Sequence, residues 1–143
     1  MDKFMQEAIN QAKKSLSEGG IPIGSVLVRN GEIIGKGHNQ RVQKDNPILH
    51  GEMDCFQNTG RLSSYKDTIM YSTLMPCFMC AGTIIQFKIP RLIVGENKNF
   101  EGAYEFLKQN GVKVEILNDE NCINMMKDFI KSNPKLWNED ISE

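Results

Sequence analysis

Two short segments far apart in the chain constrain its folding more than any other feature: His50-Gly51-Glu52, and Pro76-Cys77-Phe78-Met79-Cys80. Each stands just before a run that can wind into a helix. If both are to hold one metal ion, two helix starts must meet at a point. Cys77 and Cys80 are three positions apart and share a helix face, so both sulfurs can reach one ion. The positive end of the helix dipole also favours thiolates, the ligating form. His50 and Glu52 are two apart and do not share a face. They converge only if His50 lies where the chain is not yet wound, and Gly51 puts no side chain in the way.

The rest of the chain supplies a framework for such a meeting. Residues 2–18 read as a helix, because Phe4, Ala8, Ile9, Ala12 and Leu16 recur at spacings of three and four and Gly19-Gly20 stops the run. Residues 21–28 are rich in β-formers, Asn30-Gly31 is a tight-turn signal, and Ile33-Ile34 begins a return strand, so this region is a hairpin. Residues 36–49 read as a loop. Helices are predicted over 51–59, 77–87 (with Pro76 at its start), 101–109 and 120–132, and strands over 68–73, 91–95 and 112–117. A tail follows from residue 134. Strands alternating with helices predict an α/β fold with several parallel strands, and the hairpin makes the sheet mixed. A length of 143 residues suits a single domain, 1–143.

Composition narrows the partners. Hydrophobic residues make up 40% and charged residues 24%, ordinary for a globular protein. The net charge is −1 and no basic stripe is visible, so no nucleic-acid partner is expected. No apolar run approaches the ~20 residues that span a bilayer, and the N-terminal stretch begins no signal-peptide core. A cytoplasmic location is expected, and Cys55, Cys77, Cys80 and Cys122 should be thiols. A C-x-x-C can be a redox pair, but its place in this order of elements is not that of a thioredoxin-like chain.

A structural zinc site takes four protein ligands, whereas His50, Cys77 and Cys80 leave one position open for water. Of the other candidates, Cys55 and Cys122 read as buried thiols, and His38 as a residue that packs or hydrogen-bonds in its loop. Zinc lowers the pKa of bound water toward neutrality, so hydroxide is available near pH 7. Glu52 is then placed to take the water's proton and deliver it to a ring nitrogen and to leaving ammonia. The combination H-x-E with P-C-x-x-C is the pattern of zinc-dependent hydrolytic deaminases.

Further segments carry a closer likeness: Glu18-Gly-Gly-Ile-Pro-Ile-Gly24, Gly37-His-Asn39, Leu49-His-Gly-Glu52, Asn58-Thr-Gly-Arg-Leu62, Tyr65-Lys-Asp-Thr68, Val94-Gly-Glu-Asn97 and Trp137-Asn-Glu-Asp140-Ile. With these the chain resembles the cytidine deaminase-like superfamily and, within it, the fungal-type cytosine deaminases, over nearly its whole length. The resemblance implies a three-layer α/β/α sandwich with a five-stranded mixed sheet. It also implies a homodimer and one Zn2+ per subunit, with water or hydroxide in the fourth position. The implied reaction is hydrolysis of free cytosine to uracil and ammonia in pyrimidine salvage. It further implies that Asn39 reads the pyrimidine edge, that Gly51 offers its N–H to the base carbonyl, that Asp140 contacts the ring, and that Phe100 and Trp137 cover the base. Without the resemblance, Asn39 reads as a turn residue, Phe100 as core, Trp137 as a tail anchor and Asp140 as part of a solvated acidic end.

Two departures stand out. Met75 occupies the position of the family's small serine, where a side chain entering the pocket would change its shape. The turn Arg29-Asn-Gly-Glu32 is shorter than in the yeast member of that family, but it is distal to the zinc motif. Other readings remain open at this level: a deaminase of isocytosine, guanine or another small amino-heterocycle, a deaminase of adenosine in tRNA, or a zinc-stabilised interaction module without catalysis. The last has no use for Glu52.

Overall fold

The computed structural model describes residues 2–143. Asn30 and Gly31 both take positive φ (51° and 76°), the conformation that a two-residue turn needs to join strands of right-handed twist. That turn pairs β1 (Gly24–Arg29) with β2 (Glu32–His38) in antiparallel register, Arg29 opposite Glu32. β1 also pairs antiparallel with β3 (Thr68–Ser72), and β3, β4 (Arg91–Val94) and β5 (Lys113–Ile116) run parallel, giving the order β2-β1-β3-β4-β5. The result is an open, five-stranded mixed sheet.

Alternation along the strands divides the interior in two. Val26, Val28, Tyr71 and Ile93 face one side, where Met5, Ala8 and Ile9 of α1 (Lys3–Ser17) and Cys122 of α5 (Glu120–Ser132) cover them. Leu27, Met70, Leu92 and Val94 face the other. There they meet Cys55 and Phe56 of α2 (Gly51–Thr59), Ala81 and Ile84 of α3 (Phe78–Gln86), and Leu107 of α4 (Tyr104–Gln109). Helices on both faces make the three layers. No helix among the described residues is long and apolar enough to cross a membrane.

Local departures from the sequence reading have packing causes. β2 runs to His38, into the segment read as loop. Its glycines let α2 approach: a Cβ on Gly35 would meet Thr59, and one on Gly37 would lie 2.3 Å from the Cys55 nitrogen. The first strand starts only at Gly24, where a Cβ would strike the α1 backbone at Ala8 and Ala12. α4 starts at Tyr104 rather than residue 101, after Gly102 at φ 61°. The tail is not irregular. Pro134 opens a further helix, α6 (Pro134–Asp140), whose Trp137 joins Ile21, Ile23, Leu74, Met126 and Phe129 in a third cluster. An amphipathic segment this short is held by its docking rather than by helix propensity.

Candidate metal centre and active site

His50 is the N-cap of α2 and Cys77 the N-cap of α3, each with extended backbone (φ −67°, ψ 163° and φ −73°, ψ 178°). The histidine therefore does lie before the winding begins, and its side chain turns across to the neighbouring helix. His50 Nδ1 is 3.4 Å from Cys77 Sγ and 3.7 Å from Cys80 Sγ, and all three donor atoms lie within 4.8 Å of one another. Ligands at about 2.0–2.3 Å from a tetrahedral zinc stand about 3.5 Å apart, so one nitrogen and two sulfurs so placed fit that ion. Cys55 and Cys122 are fully buried elsewhere, their thiols pushed up by burial, and His38 bonds to Glu18.

The donors share charge before any metal arrives. The Cys77 thiol is lowered to about 4, first by its hydrogen bond with Cys80 and then, against the cost of burial, by that with His50. Cys80 is raised correspondingly. Burial works to lower His50, but the Cys77 hydrogen bond and the Asp140 and Glu52 charges prevail and lift it to about 9. Metal binding thus releases protons from this trio. Glu52, almost fully buried in the first turn of α2, is lifted to about 7 by burial and then by the nearby Cys77 thiolate. Burial also raises Asp140, opposed by His50 and Asn39.

A second set of contacts ties the chain's end to the centre. Asp140 Oδ1 lies 3.5 Å from His50 Nε2 and accepts from Asn39 Nδ2 at 3.2 Å. At 3.5 Å the His50 contact is an ion-pair approach rather than a hydrogen bond, and it sets a carboxylate beside the ring nitrogen that does not face the sulfurs. Asn39 is wholly buried, and its Oδ1 accepts from the Arg41 N–H, its carbonyl from Ser15 and Gln43. Gly51 sits so close to Ile23 that a Cβ would lie 3.0 Å from its carbonyl oxygen.

Two cavities meet at the centre. The inner one is lined by His50, Glu52, Met75, Cys77, Phe100, Trp137 and Asp140, together with Ile23, Leu74 and Ile141. It closes to about 10 Å³, room for about one water. The outer one, about 440 Å³, is bounded by Arg41, Pro47, His50, Phe78, Met79 and the tail from Glu139 to Glu143. Asn39, Gly51 and Cys80 line neither. Phe100 stands edge-on to Trp137 at 5.6 Å. Met75 does enter the inner wall, and its side chain packs where a Cβ on Gly102 would lie 2.8 Å from its Cγ. Reading the sequence missed Ile141, which lines both cavities. Its only sequence signal was its place beside Asp140 in the tail motif.

A His-Cys-Cys centre at two helix starts, on an open mixed sheet, with a buried glutamate beside it, defines a class, and sequence comparison places the chain within it. The chain belongs to the family of the cytidine and deoxycytidylate deaminase zinc-binding region, which matches residues 1–96. It is 51% identical to the cytosine deaminase of Candida albicans over 144 residues, 99% of this chain and 96% of that protein. It is 40% identical to a tRNA-specific adenosine deaminase of Streptococcus pyogenes, over 90% of this chain and 88% of that one. A solved structure of a tRNA:A34 deaminase superposes with a TM-score of 0.78 at 25% identity, covering 87% of this chain and 99% of that chain.

Proposed function

We propose that this protein hydrolyses free cytosine to uracil and ammonia, with His50, Cys77 and Cys80 as zinc ligands and Glu52 as the proton carrier. The observation that carries the reading is the tail. In a chain 51% identical to a cytosine deaminase over nearly its full length, α6 brings Trp137, Asp140 and Ile141 over the metal centre and narrows the inner cavity to about 10 Å³. With room for about one water, the inner cavity takes a base only after the tail shifts, and a tail docked over the centre covers a small free base more readily than a polynucleotide. A zinc ion held by the three donors would lower the pKa of water toward neutrality and so supply hydroxide near pH 7.

Glu52 then moves the protons. Its carboxylate takes one from water as the oxygen bonds to the amine-bearing carbon, and passes it to the ring nitrogen. A second proton, taken by Glu52 from the hydroxyl now attached to that carbon, goes to the amine as the C–N bond breaks, so ammonia leaves and the hydroxyl oxygen becomes the product carbonyl. Asp140, which lines both cavities, offers its carboxylate to the polar edge of the ring; Asn39, bonded behind it, and the Gly51 N–H reach the ring only once a base has displaced the side chains that now close the inner cavity. Phe100 and Trp137 cover its faces. Met75 adds apolar volume to the wall and shapes the pocket.

Ammonia release from a panel of cytosine, isocytosine, guanine, nucleosides and tRNA tests the substrate. Turnover of isocytosine or guanine without cytosine would overturn the proposal. The 40% identity to tRNA adenosine deaminases favours a second reading, adenosine in tRNA, which the net charge of −1 and the closed chamber oppose. Exposed Ile48, Phe78 and Phe106, the last two in ring contact at 5.7 Å, support a homodimer, which sedimentation tests. A cytosolic site of action accords with four cysteines that form no disulfide, two of them in the metal centre.

A further inference from the structure

The Val94-Gly95-Glu96-Asn97 segment takes no part in the chemistry above, yet Glu96 is a carboxylate with 0% exposure. A carboxylate so placed persists only where donors replace water. Asn99 supplies them: its backbone N–H donates to Oε2 at 3.0 Å and its Nδ2 to Oε1 at 2.8 Å. The same Nδ2 donates to the Ile123 carbonyl of α5 at 2.9 Å. The Glu96 carbonyl accepts from the Met75 N–H at 3.0 Å. Glu96 and its partner thus join the segment leading into Pro76-Cys77, the loop after β4, and α5. The residue after Asn99 is Phe100, in the wall of the inner cavity and edge-on to Trp137.

We infer that Glu96 is a positioning residue for the reaction: through Asn99 it sets Phe100 against Trp137 over the metal chamber and so governs retention of the base. The identity of that base rests on the function proposed above, whereas the placement of Phe100 does not. Glu96→Gln breaks the arrangement with little change of volume. Whichever way the new amide turns, its N–H₂ faces an N–H of Asn99 where water cannot help. Asn99→Ala removes the side-chain links but leaves the buried carboxylate and one backbone bond.

Trp137 is the only tryptophan, so its fluorescence reports the lid without reference to activity. In zinc-loaded protein, both variants should keep the parent's zinc content while quenching of Trp137 by acrylamide rises about twofold or more. KM for cytosine should rise about tenfold while kcat changes much less, the pattern of lost ground-state binding. A lowered melting temperature with unchanged quenching and unchanged KM would make Glu96 a stabiliser of the fold alone and overturn the inference. If Glu96→Gln does not fold, Asn99→Ala decides. If the parent releases no ammonia from cytosine, the substrate reading fails and Trp137 quenching alone decides the role of Glu96.

Discussion

The protein has two histidine clusters next to α2, a buried one at His38 and a partly exposed one at His50, and they use the same side chain for different ends. His50 faces two thiols and one carboxylate, Cys77 and Cys80 on one side of the ring and Asp140 on the other. His38, at the end of β2, meets Glu18 at 2.8 Å, while its backbone N–H donates to Asp54. Asp54 also accepts from Gln40 and Asn58. The first cluster gathers soft donors at two helix starts and suits a metal. The second pairs N–H donors with carboxylates, satisfies itself, and fastens α2 to β2. A histidine thus acquires its role from the donor set that the fold brings to it.

Substitutions should separate the two clusters, and the largest effect belongs to the metal centre. His50→Ala should abolish zinc retention and turnover, read by metal analysis after dialysis and by ammonia release, whereas His38→Ala should keep zinc. Equal zinc loss in both would break the distinction. Glu52→Gln should retain zinc and lose at least about a thousandfold in kcat, since it removes the proposed proton carrier but no ligand. Turnover within tenfold of the parent would remove Glu52 from the mechanism.

Effects on stability should rank lower. Chelation of the metal should lower the melting temperature by about 10 °C, because an ion that binds only the folded state stabilises it by mass action. The same treatment of His50→Ala should change nothing. Asp54→Ala leaves the His38 and Gln40 donors without their acceptor and should cost about 2–4 kcal/mol in denaturant unfolding, with zinc content intact. The smallest effect is expected at Glu18, whose carboxyl is held below its usual range, first by the hydrogen bond from His38. A lowered carboxyl pKa stabilises above the unfolded value and is lost as pH falls through the folded one. Glu18→Gln should therefore cost under about 1 kcal/mol at pH 7, given its exposure, and nothing once pH is below the folded pKa.

Much of this was legible because it is written in local patterns. The hairpin follows from Asn30-Gly31, and the alternation of Val26, Leu27 and Val28 assigns side chains to two faces. The metal donors follow from residue type and spacing, with His50 and Cys77 at helix starts as their neighbours required. The end of β2 misled, since Gly37 fell in the segment read as loop, whereas Gly35 and Gly37 both lie in the strand and admit α2. The helix in the tail was not legible, because a seven-residue helix carries little propensity signal and exists by docking Trp137, the residue that read as a tail anchor.

The sequence by itself determined the order of elements, the identity of the metal donors and the family. These depend on residues near one another in the chain, or on chemistry that few residue types possess. Only the tertiary structure decided that Asp140 meets both Asn39 and His50, that Ile141 closes the chamber, and that Glu96 and Asn99 hold the loop bearing Phe100. Asn39 and Asp140 stand 101 positions apart. No local spacing encodes such a pair, which exists because the two faces of the sheet and the docked tail bring its members together.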